Sequence, residues 1–173
     1  MATHTDDHTI WIGSAVDREG KAACHLTWGR LEALLTPQVV TDTARDLAAA
    51  AAHAETDVAL LGVLRDTLGL DVQTAGRLLL DVRARRAMPP APSALRIEAV
   101  AGMKTGLPYV HVARGSMKAQ LTPDEAREMA VLWTQAALAA STDVRLRYAL
   151  GEWDHLTPAQ IDALFQKMRE LHR

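Results

Sequence analysis

Cysteine is almost missing from this chain. Its 173 residues include one, Cys24, so no intrachain disulfide can form and there is no basis for a cysteine-built metal centre. Aromatic residues are scarce at 4 %. The core therefore rests on small and aliphatic side chains, which lets helices approach closely. Neither charge dominates. The net charge of −2 argues against a partner held by bulk electrostatics, though not against one met by a local basic face. No signal peptide is expected from the polar, acidic stretch at residues 1–8, and no apolar run of about 18 residues follows. The Ser/His/Asp set, the CxxC pair, the phosphate-cradling glycine loops and the HExxH zinc motif are all absent. No cofactor is implied.

What is present suits a globular chain. Hydrophobic residues make up 49 % and charged residues 23 %, with a mean hydropathy of −0.04. That is the composition of soluble domains, and with a single cysteine it points to the cytoplasm.

The strongest pattern is internal. Residue i matches residue i+86 without a gap: Gly20 with Gly106, His25 with His111, Gly29 with Gly115, and Leu35-Thr36-Pro37 with Leu121-Thr122-Pro123. Thr56-Asp57-Val58 likewise meets Thr142-Asp143-Val144. About twenty identities fall in about seventy pairs, roughly three times what chance gives in an Ala/Leu-rich chain. The identities at Gly and Thr-Pro weigh most, because they report backbone geometry. The expected organisation is a flexible tail at 1–8, a first module at 9–87, a Pro-rich linker at 88–94 and a second module at 95–173. The halves carry −1 and +1, so neither is a charge specialist.

Within one module, alternation predicts strands at Ile10–Val16, Lys21–Trp28 and Arg30–Leu35, with a glycine turn at Asp17–Gly20. Thr-Pro then opens a helix, and Thr122-Pro-Asp-Glu125 forms a capping box. Thr157-Pro-Ala-Gln160 repeats the device. The helical stripes are Val40, Thr43, Ala44, Leu47, Ala51, Ala54 and Ala126, Met129, Ala130, Trp133, Ala137, Ala140. Two outcomes stay open for these helices, since Ser141, Thr142 and Asp143 are able to cap a fresh start. The last helices, Val72–Arg86 and Pro158–Leu171, present Ala75, Leu78, Leu79, Val82 and Ile161, Leu164, Phe165, Met168. The fold class is α+β, two β-β-β-α-α copies related by a pseudo-twofold, in the manner of a fused homodimer.

Three functional readings follow. The first is a non-enzymatic binding or assembly protein, an accessory or regulatory factor with a protein partner or a second copy of itself, and no membrane. The second is a DNA-binding regulator. Leu64, Leu68, Leu70, Ala75 and Leu78 around Gly69 have the spacing of a helix-turn-helix, and Arg77, Arg83, Arg85, Arg86, Arg169 and Arg173 are placed to reach phosphates of duplex DNA. The third is a small enzyme or ligand-binding protein with a site between the copies near His25 and His111, the weak metal candidates. The bland alternative for these histidines is a half-buried polar contact. Cys24 and His25 are strand neighbours on opposite faces, which spoils them as a nucleophile–base pair.

Overall fold

A computed structural model describes residues 9–86, 94–102, 105–152 and 155–171, the side chains of Arg169 and Leu171 excepted. The expected tail at 1–8, the linker prolines, Trp153 and Arg173 lie outside the described residues. The fold is α+β, with two three-stranded antiparallel sheets and four helices. The elements are β1 (Ile10–Val16), β2 (Ala22–Trp28), β3 (Leu31–Leu35), α1 (Pro37–Gly62) and α2 (Val72–Arg86). They are followed by β4 (Arg96–Ala101), β5 (Pro108–Arg114), β6 (Met117–Leu121), α3 (Pro123–Gly151) and α4 (Pro158–Leu171).

The meanders follow from their turns. Between β1 and β2 the chain reverses at Asp17–Gly20, where Gly20 takes a φ of 77° that a side chain would strain. The Asp17 carboxylate accepts the amides of Glu19 and Lys21 at 2.9 and 2.8 Å, an Asx turn. In β2, Cys24, Leu26 and Trp28 are buried, and His25 points the other way.

Both long helices run on through the positions where a break was possible. Thr56 Oγ1 donates to the Ala52 carbonyl at 2.8 Å and Ser141 Oγ to Ala137 at 3.0 Å. These hydroxyls bond backwards within the helix instead of capping a new one. The α1 stripe is buried as its spacing requires, joined by Ala50, Asp57 and Leu61. The α3 stripe is buried too, with Met129 half-buried.

Helix α1 ends in a wider π turn, Val63–Thr67, closed by Leu68 N–H to the Val63 carbonyl at 3.1 Å. Gly69, at φ 66°, then reverses the chain. The wider turn shifts the phase of the helix-turn-helix frame. Leu64 and Ala75 are buried, but Leu68 is 62 % and Leu78 40 % exposed, and Leu79 takes the core place. On α4, Ile161 and Phe165 are buried while Leu164 and Met168 are exposed.

The chain divides into two compact units, one continuous in sequence and one built from two separated segments. One comprises Met1–Gln38 with Gln135–Arg173, and so holds β1–β3, the later part of α3 and α4. There Ser14 Oγ donates to Asp143 at 3.1 Å, and Arg147 lies 4.3 Å over the Phe165 ring while pairing with Asp162. The other unit, Val39–Thr134, holds most of α1, all of α2, β4–β6 and the start of α3. Its core gathers Leu61, Leu64, Ala75, Leu79 and Ala101, with Val58, Leu60 and Leu70 packed on it.

One expectation needs amending. The 31-residue helical stretch Pro37–Thr67 is long and apolar enough, by length and composition, to cross a membrane. Dense alanine produces that average, although Asp, His and Glu interrupt any continuous run. The same stretch holds the buried Asp57 and Thr43.

The caps form as read. Glu125 accepts the Thr122 amide at 2.7 Å, and Thr122 Oγ1 accepts the Glu125 amide at 3.3 Å. Gln160 and Thr157 repeat the arrangement. Bonds from the Thr122 amide and hydroxyl hold the Glu125 carboxyl below its usual value of 4.5. A depressed carboxyl stabilises the fold above its unfolded pKa and loses that contribution as pH falls through its folded one. Thr122→Ala should cost about 1 kcal/mol by urea denaturation at pH 7. Its deficit relative to wild type should shrink below pH 4.5, where protonated Glu125 no longer holds Thr122.

Candidate functional site: a groove around a buried aspartate

Asp57 lies in the last third of α1 on the buried stripe, where the 3.6-residue repeat would place an alanine or leucine. Only 1 % of it is exposed. A lone buried carboxylate is costly, and α2 supplies the compensation. Arg83 donates from Nε to Oδ2 at 2.7 Å, and Arg86 Nη2 stands 3.1 Å from Oδ1. The second contact is at ion-pair distance but outside hydrogen-bonding geometry, so among the described residues Oδ1 has no hydrogen-bond partner. Arg83 and Arg86 sit three apart, on one face of α2. That face continues the stripe of Ala75 and Leu79, so the apolar contact and the ion pair lock the same helix pair.

These three residues line one side of a groove of about 930 Å³. The rest of α1's contribution is Asp46, Ala49, Ala50 and His53, spaced to share a helix face. Across from them runs β4, with Arg96 to Val100 along the wall. Thr43 Oγ1 accepts the Ala94 amide at 2.9 Å at one end, and Leu61 shares a buried cluster with Ala101 at the other. Strand β4 thus runs alongside α1 in the same direction. It is an edge strand of its sheet, paired only with β5 among the described residues. Arg114 Nη1 donates to the Ala94 carbonyl at 2.6 Å and fixes the chain where it enters β4. Within the groove, burial holds the Asp46 carboxyl above its ordinary range, with Arg45 opposing and Asp42 adding to the effect.

The arginines read as a phosphate-reaching face divide. Arg77 and Arg85 are exposed on α2, whereas Arg83 and Arg86 turn inward to Asp57. The side chain of Arg169 and all of Arg173 lie outside the described residues. His25 and His111 fall in different compact units. His25 is edge-on to Trp11, ring centroids 6.1 Å apart, and 3.8 Å from Glu32. Trp11 in turn folds over Gly13, leaving no room for a Cβ there. His111 bonds Gln120 at 3.1 Å and stands opposite Glu98 in the sheet. Both histidines therefore make cross-strand contacts within their own sheets, and neither lines the groove. Among the described residues no three His, Cys, Asp or Glu side chains gather as a metal-holding group.

Asp57 is the residue that pattern reading passes over. A signal for it exists: Asp57 and Asp143, and also Arg83 and Arg169, are identical at the spacing of 86. A repeated acid and a repeated base at a fixed separation mark a candidate ion pair. No family model matches the chain, nor does any curated protein or solved structure.

Two outcomes are expected. Replacing both Arg83 and Arg86 by Met should cost about 3–5 kcal/mol in urea denaturation, because Asp57 is left buried and unpaired. Asp57→Asn should cost less, since Arg83 and Arg86 are already 33 % and 28 % exposed and can turn to water. Burial also pushes the Cys24 thiol up to about 11. A thiol reagent at pH 8 should therefore label the native protein far more slowly than the urea-unfolded chain, and equal rates would contradict the burial.

Proposed function

We propose that the protein is a non-enzymatic binding protein, a cytoplasmic accessory or regulatory factor, that takes its ligand in the groove between α1, β4 and the end of α2. The observation that carries this reading is the groove itself, about 930 Å³ with a fully buried, arginine-held carboxylate in its wall. Its size falls in the range of small-molecule sites, about 300–1,000 Å³. Polar groups fixed by an ion pair are suited to selecting a ligand, since their geometry is set before binding.

We further propose that the chain is a duplicated β-β-β-α-α module, a fused pseudo-dimer. The element order supports this, because it occurs twice. So do the matched turn glycines, with φ of 77° and 67° at Gly20 and Gly106, and 56° and 58° at Gly29 and Gly115.

The DNA-binding alternative retains the exposed Arg77 and Arg85 but must do without Arg83 and Arg86 while they hold Asp57. It requires binding of labelled duplex that weakens steeply with salt.

The groove reading is tested by thermal melting against pools of anionic, neutral and cationic small molecules. At least one pool should raise Tm in the wild type. The rise should vanish in Ala49→Trp, whose bulk fills the groove from a half-buried position on α1 and whose own cooperative melt reports folding. A wild type whose Tm no pool moves would overturn the reading.

A further inference from the structure

Resting on the groove as the binding site, we propose that its ligand is a small molecule bearing an oxyanion, a carboxylate or a phosphate, seated on Arg83 and Arg86. The charge count at this end of the groove is unequal. Two guanidinium groups share one carboxylate, which leaves one positive charge uncompensated beside Asp57. The other charged wall residues do not cancel it. Arg96 stands 3.4 Å from Glu98 and the two neutralise each other. Asp46 precedes Asp57 by three turns of α1, about 16 Å along the axis. That is beyond the screening length of about 8 Å at physiological ionic strength.

Asp57 explains why the arginines are suited to this task. A guanidinium presents five N–H donors in a rigid fork. Arg83 spends Nε on Asp57 and Arg86 approaches through Nη2. The remaining donors of both lie on side chains that are about a third exposed and that line the groove. The buried carboxylate thus acts as an anchor that orients two forks without exhausting them, and bidentate oxyanion recognition requires forks held in this way. Asp57 Oδ1, buried on the same wall without a hydrogen-bond partner among the described residues, offers an acceptor to a hydroxyl or amine on the same ligand. The assigned class is therefore an oxyanion with an adjacent hydrogen-bond donor, as in hydroxy acids, amino acids and sugar phosphates.

Calorimetric titration of the full chain with inorganic phosphate, and separately with lactate, at constant ionic strength tests the assignment. Saturable one-site binding of at least one probe is expected, and which probe binds distinguishes phosphate from carboxylate. Arg83→Lys keeps a cation for Asp57 but loses the fork, so it should melt cooperatively near the wild-type Tm and bind about tenfold more weakly. Arg77→Gln, exposed on α2, should bind as wild type does. Equal binding by wild type and Arg83→Lys would overturn the proposal. If neither probe binds while neutral or cationic molecules still raise Tm in an Ala49-dependent way, the oxyanion assignment falls and the groove reading stands. If no molecule of any class binds, both fall.

Discussion

Asp57 is the constraint around which the larger of the two compact units is organised. A carboxylate on the buried stripe of a long helix is tolerable only if cations reach it. That requirement fixes α2: it must run back along α1 far enough for Arg83 and Arg86 to arrive, and in the register that puts Leu79 in the same buried cluster as Leu61. The apolar cluster and the ion pair therefore specify the same helix pairing. Burying charge contributes little net stability, because desolvation offsets the attraction. Its effect here is on geometry, since Asp57 is paired only where α2 brings Arg83 and Arg86 to it.

The same pair shapes the groove. An aliphatic residue at position 57 would close the wall with methyl groups and release the arginines to solvent. With Asp57 in place, the wall carries oriented donors and a buried acceptor, and β4, an edge strand among the described residues, runs alongside. Asp57 is the charged departure from the hydrophobic pattern of α1. Local rule-breaking that the tertiary structure compensates is a general mark of binding sites.

Much of the fold was legible beforehand, because the signals are local. Alternation placed β1, β2 and β3 to within a residue. Thr-Pro with Glu125 or Gln160 marked helix starts whose caps close as written, and the stripe from Val40 to Ala54 is buried throughout. Where reading failed, the deciding interaction was a neighbouring helix or a change of helical pitch. Leu68 and Leu78 fit a helix-turn-helix frame on paper, but the π turn at Val63–Thr67 moves the one outward and Leu79 replaces the other. The basic run ending α2 reads as a phosphate-reaching face, because composition cannot say which of four arginines has a partner 26 residues upstream. The candidate site was therefore the least legible part, visible only as a repeated Asp and a repeated Arg within a set of about twenty identities.

The sequence by itself determined the α+β class, the element order, the turns and caps, and which face of each long helix is apolar. These depend on residues within a turn or two of one another, so the chain states them directly. Tertiary structure alone decided that one compact unit joins the two ends of the chain, that Thr56 and Ser141 bond backwards rather than cap, and that Arg83 and Arg86 face inward. Each of these depends on the free energy of packing against groups remote in sequence. A buried charge shows this most sharply, since whether it is ruinous or useful rests on what the fold brings to meet it.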